Sequence, residues 1–118
     1  MKENVIQKKS FDFAVRIVNA YKYLQTEKKE FVLSKQILRS GTSIGTNVEE
    51  AIGGQSKKDF IAKTSISYKE ARETIYWIKL LVATGYLEKD LAQSLLDDAE
   101  ELSKILSSIL LTSKQNNS

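Results

Sequence analysis

The chain has 118 residues with 18 basic and 15 acidic side chains, a net charge of +3, and no histidine, cysteine or proline. That length fits one compact domain. The missing residue types exclude disulfides, thiolate chemistry, Ser-His or Cys-His nucleophiles and the usual zinc sites. Five glycines and many Leu, Ile, Ala, Glu and Lys residues favour long helices with short connections.

The first predicted element covers residues 5–28. Ile6, Phe13, Ile17, Ala20 and Leu24 recur at helical spacing, and Phe11, Ala14, Val18 and Tyr21 form an adjacent row. An apolar arc that wide implies burial on two sides. Charged residues interrupt the opening too often for a signal peptide, and no uncharged run reaches the ~20 residues of a membrane span. The expectation is a cytoplasmic protein with no membrane partner.

Residues 29–33 form a connector, and Ser34 is the expected N-cap of a second helix over 34–52. Ile37, Gly41, Ile44, Val48 and Ala51 make its seam, with Leu38, Gly45 and Ile52 beside them. Glycine within a helix costs roughly 1 kcal/mol relative to alanine. Because Gly41 and Gly45 lie inside the apolar arc, they predict close approach of a neighbouring helix.

Gly53-Gly54 then marks a turn, and Ser56 with Asp59 marks a capped start for a third helix over 57–84. Its seam runs Ile61, Thr64, Tyr68, Ala71, Ile75, Ile78 and Val82. A second row of Phe60, Ser67, Glu70, Thr74, Trp77 and Leu81 is polar in its middle. Gly85 ends it in the C′ position, and Leu87 staples a fourth helix over 88–112, leaving residues 113–118 as a flexible tail. Four such helices predict an all-α, single-domain, up-down-up-down antiparallel four-helix bundle.

Two polar margins face each other in this arrangement. Ser40, Ser43 and Asn47 border the seam of the second helix, while Ser67, Glu70 and Thr74 border that of the third. Ser43 and Asn47 are expected to hydrogen-bond Glu70, giving a structural polar layer of Ser43, Asn47, Ser67, Glu70 and Thr74 that fixes register. A carboxylate site of Glu50, Glu70 and Glu73 is the competing reading. It lacks any His, Cys or phosphate loop beside the acids, so no catalytic residue, metal or cofactor is assigned.

The strings "LSKQILRSGTSIGTNVEEA", "DFIAKTSISYKEARETIYWIKLL" and "TGYLEKD" resemble the four-helix-bundle family encoded in intervening sequences of bacterial 23S rRNA genes. The resemblance spans roughly residues 4–112 and rests on Arg39-Ser40, Ser43-Ile44, Asn47, Glu50-Ala51, Ser67, Glu70 with Glu73-Thr74, Trp77 and Gly85-Tyr86. Many relatives carry proline where Gly45 stands here. It implies a bacterial bundle without enzymatic activity. Related accessory proteins of diversity-generating retroelements form pentameric rings that bind nucleic acid, so a homo-pentamer is the implied assembly.

Residues 1–60 hold 11 basic and 7 acidic side chains, a mild excess that suits a polyanion. The candidate contacts with RNA or DNA are Lys8, Lys9, Arg16 and Lys22 on the first helix, plus Lys57 and Lys58 at the turn. The alternative is a protein-interaction scaffold that binds another protein and no nucleic acid. Helical ribonucleases that rely on an Arg-x(4–6)-His motif are no match for a chain without histidine.

Overall fold

Three of the four helices begin where a polar side chain meets their free N–H groups. In the computed structural model, which describes residues 4–115, Asn4 Oδ1 accepts from the Gln7 amide at 3.1 Å and opens α1, Val5–Thr26. The chain then reverses through Lys29, whose φ of 54° lies in the left-handed region. The second helix, α2, runs Leu33–Ile52 with Val32 at its N-cap. Ser56 Oγ accepts from the Asp59 amide at 3.0 Å to open α3, Lys57–Ala83. Gly85, at φ +85°, turns the chain so that the Tyr86 and Leu87 amides both return to the Leu81 carbonyl. Leu87 is buried there and leads into α4, Lys89–Gln115.

The four helices form the expected all-α bundle, 49 × 24 × 20 Å. Contacts run α1 to α2, α2 to α3, and α3 to α4, with a lighter contact closing α1 onto α4. The core is built from the predicted seams of the first three helices, Phe13, Ile17 and Leu24 from α1, Ile37 and Ile44 from α2, and Ala71 and Ile78 from α3, together with Leu95, Ala99, Leu102 and Leu106 from α4. Each large aliphatic or aromatic side chain buried there is worth about 1.5–3 kcal/mol.

The second apolar row of α1 is wider than the rest of the chain covers: Phe11 is 67% exposed, and Ala14, Val18 and Tyr21 are partly buried. Two features differ from the sequence expectation. The fourth helix continues through Lys114 to Gln115, so part of the expected tail is helical, while residues 116–118 lie outside the described residues. The second difference is the cap of α2. Ser34 is inside the helix, and its hydroxyl donates to the Glu30 carbonyl at 2.8 Å. The Glu30 carboxylate does the capping, accepting from the amides of Val32 (3.2 Å), Leu33 (3.1 Å) and Ser34 (2.7 Å). Glutamate two residues before the N-cap has the reach that a shorter Asp or Ser would lack, and its charge complements the helix dipole.

Burial pushes the Glu30 carboxyl up, but the hydrogen bonds from Leu33, Ser34 and Val32 outweigh it, and the net pKa is lowered. A lowered folded pKa means that the contribution to stability is present above the ordinary glutamate range. It disappears as pH falls through the folded value.

The glycines of α2 separate once geometry is known. A Cβ on Gly41 would sit 2.8 and 2.9 Å from Ile17 Cγ1 and Cγ2, closer than packed carbons allow. Ile17 is wholly buried and β-branched, so it cannot step aside cheaply. A Cβ on Gly45 would meet the Ser10 carbonyl at 3.5 Å, which is ordinary contact.

Two substitutions test this directly. Gly41→Ala should melt lower than wild type, because overpacking of about 1–3 kcal/mol exceeds the helix propensity gained, whereas Gly45→Ala should gain up to about 1 kcal/mol. Equal shifts in the two thermal melts would contradict the close-approach account. Glu30→Gln should lose about 1–2 kcal/mol at neutral pH. That deficit should shrink as the wild-type carboxylate is protonated in acid, which denaturant titrations across pH would measure.

Candidate functional site

Two polar regions stand out, one between α2 and α3 and one on the outer surface. The α2–α3 seam holds small hydroxyls packed face to face. Ser67 Oγ donates to the Ile44 carbonyl at 2.8 Å, crossing from α3 to α2. Thr74 Oγ1 lies 2.9 Å from Ser40 Oγ and also reaches the Glu70 carbonyl at 2.7 Å. Ser40, Ser67 and Thr74 are fully buried, so these bonds satisfy groups that water does not reach.

Glu70, Ser43 and Asn47 do not form the expected cluster. Ser43 Oγ donates to the Arg39 carbonyl at 2.6 Å, and Asn47 Nδ2 donates to the Ser43 carbonyl at 2.8 Å, both within α2. Glu70 instead receives Arg39 Nη1 at 3.0 Å, and Arg39 Nη2 reaches Glu73 Oε2. Trp77 Nε1 donates to that same Glu73 oxygen at 2.9 Å. Arginine is long enough to span from α2 to two successive α3 carboxylates, which asparagine is not. Thr74 finds its α2 partner in Ser40, which sits on the core side of the helix.

The three acids of the competing carboxylate reading are also accounted for. Glu50 pairs with Lys63 at 2.7 Å, away from Glu70 and Glu73, which share Arg39. Among the described residues no group of three or more His, Cys, Asp or Glu is placed to hold a metal ion.

The predicted basic residues of α1 are largely neutralised. Lys8 pairs with Asp12 at 2.9 Å along the same helix. Lys9 faces Glu101 at 3.3 Å, and Arg16 Nη1 meets Asp98 at 2.6 Å while its Nη2 donates to Ser94 Oγ at 3.0 Å. Asp97 and Glu100 stand on the same stretch of α4, so a polyanion approaching Lys9 or Arg16 also meets an acidic wall. Lys22, Lys57 and Lys58 are exposed and enter no ion pair among the described residues.

A second basic stripe lies on the outer side of α3. Lys58, Lys69, Arg72, Tyr76 and Lys79 are all exposed. At about 100° per residue they fall within an arc of about 80°. Among the described residues, none of its cations is paired with an acid. Only Lys58 of this set was visible as a candidate from sequence. The signal that finds the others is the helical wheel itself, since the acids Glu70 and Glu73 rotate toward α2 and leave the outer side purely basic.

Residues 2–108 match the family model described as 23S rRNA-intervening sequence protein. Among solved structures, the chain is similar to a crystal structure of a protein with unknown function from the S23 ribosomal protein family of Bacteroides thetaiotaomicron VPI-5482. The two share 55% identity and superpose with a TM-score of 0.89, covering 90% of this chain and 98% of that one. No curated protein matches the chain significantly.

The ion pairs of α1 make a clear expectation. Arg16→Glu sets a carboxylate against Asp98 and should destabilise the bundle by about 1 kcal/mol, more than an exposed pair alone would give. The swap Arg16→Glu with Asp98→Arg should recover most of that loss in a chemical melt. No recovery would show that Arg16 acts through packing of its stem and not through its charge.

Proposed function

The chain belongs to the 23S rRNA-intervening sequence protein family, and from that premise we propose that it is a non-catalytic, oligomeric bundle binding RNA or other nucleic acid through basic surface. The observation that supports the reading best is the outer side of α3, where lysine and arginine stand exposed and enter no ion pair among the described residues. Lys57 and Lys58 extend that surface to the Gly53-Gly54 turn. Lys9 and Arg16, with their acidic partners on α4, contribute to folding more than to a polyanion contact.

Self-association is the second half of the proposal. Val5, Phe11 and Val15 of α1 are 60%, 67% and 47% exposed, a concentration of apolar side chains that a second subunit would cover. A homo-pentameric ring is the assembly that the family resemblance implies. In a closed ring each modest basic surface is repeated by symmetry, and avidity for a long polyanion rises accordingly. The same apolar face would suit a different protein partner in the scaffold reading, and the measurements below separate the two.

Size exclusion with light scattering should give five times the 13.3 kDa of one chain. Retention of RNA should fall steeply between about 50 and 200 mM salt. A monomer at micromolar concentration would overturn the ring. RNA binding that is absent, or indifferent to salt, would favour the scaffold.

A further inference from the structure

Between α3 and α4 the outer surface is not flat. A recess of about 340 Å³ opens there, lined by Ser65, Tyr68 and Lys69 of α3 and by Ser107, Leu111 and Lys114 of α4. Its walls combine an aromatic ring, an aliphatic side chain that is 62% exposed, and two ammonium groups. The volume lies within the range of small-ligand sites. Arg72, Tyr76 and Lys79 continue from it along α3, and Lys69 to Lys79 spans about 15 Å of helix. The Tyr76 ring is 59% exposed and rests edge-on against Trp77, with centroids 5.1 Å apart. Tyr76 therefore offers exposed aromatic surface beside the cations.

Resting on the nucleic-acid reading above, we infer that this α3–α4 face takes single-stranded RNA, with a base in the recess beside Tyr68 and Leu111, phosphates on Lys69, Arg72, Lys79 and Lys114, and a second base stacked on Tyr76. Charge complementarity identifies the occupant as a polyanion. The ring and leucine side chains in the recess and the exposed Tyr76 narrow it to a strand whose bases are unstacked, because a duplex hides its base faces. An acidic peptide would satisfy the cations but leave the recess and ring unused. The hydroxyls of Ser65 and Ser107 at the recess supply partners for a ribose 2′-OH, which selects RNA over DNA. A stripe of about 80° on one helix also matches one backbone better than the two of a duplex.

The test is fluorescence anisotropy with a labelled oligouridylate, the thymidylate DNA of equal length and an RNA duplex, each titrated with the full chain. Wild type should bind the single-stranded RNA tightest. Tyr76→Ala should weaken that binding about tenfold and leave the duplex unchanged, while Tyr76→Phe should retain it. Lys69→Glu with Arg72→Glu should weaken all three probes about tenfold or more, with circular dichroism melts confirming the fold. If duplex or DNA binds as well as single-stranded RNA, or Tyr76→Ala has no effect while the double charge reversal does, nucleic-acid binding survives and this inference falls. Absence of salt-sensitive binding to every probe defeats the underlying reading as well. A change in oligomer mass in the double reversal, with RNA binding intact, would mark the face as a contact between copies and overturn the assignment.

Discussion

The bundle depends on how closely α1 can lie on α2, and that distance is set where Ile17 fills the space beside Gly41. A methyl group on Gly41 would come within 2.9 Å of the Ile17 side chain, so the missing Cβ is what lets the two helices approach. Ile17 is completely buried as a result, with Phe13 one turn before it and Leu24 two turns after it in the same core. Once α1 is seated there, its opposite flank turns toward α4, and Lys9 and Arg16 come within ion-pair distance of Glu101 and Asp98. Its remaining flank, with Phe11 and Val15, faces outward. Close packing on one side therefore decides both the neutralised basic side chains and the exposed apolar ones.

The contact between α2 and α3 follows a different rule. There the small residues carry hydroxyls, and each hydroxyl has a partner: Ser67 on the Ile44 carbonyl, Thr74 on Ser40. Short polar side chains permit close approach and also fix the register, because sliding one helix by a residue would strand buried donors that each cost about 1–3 kcal/mol. Arg39 extends the same register outward by bridging Glu70 and Glu73, and Trp77 closes onto Glu73. These acids are held by a cation from the neighbouring helix. Their geometry serves alignment of α3 on α2.

Much of this was legible in the residues. The helical seams, the Gly53-Gly54 turn, the Ser56 cap and the Gly85 stop are local signals, and local signals survive folding. What sequence could not supply was the third dimension around each helix. Glu30 as a cap was hidden because glutamate is a poor N-cap in its usual position, and only the reversal at Lys29 brings its carboxylate back over the amides of α2. The pairing of Glu70 was misjudged because α2 offers both Asn47 and Arg39 near that margin. Rotation about the helix axis, not spacing along it, decides which one reaches. The choice between Ser40 and Ser43 turned on the same few tens of degrees.

Rotation also redistributes the charge. Counting along the chain places the basic excess in residues 1–60, yet the fold divides it, pairing Lys8, Lys9 and Arg16 with acids while Lys22, Lys57 and Lys58 stay exposed and outside the ion pairs. Three of the four α1 cations meet acids, two of them on α4. On α3, Glu70 and Glu73 are drawn inward by Arg39, and their departure is what leaves Lys69, Arg72 and Lys79 without a counter-charge. One arginine on α2 thus links the two regions: by holding the α3 acids on the inner margin, it fixes helix register and leaves the outer stripe basic. In a bundle with so small a net charge, the sign of each face is set by which helix margin its acids are recruited to, and that recruitment is a consequence of packing.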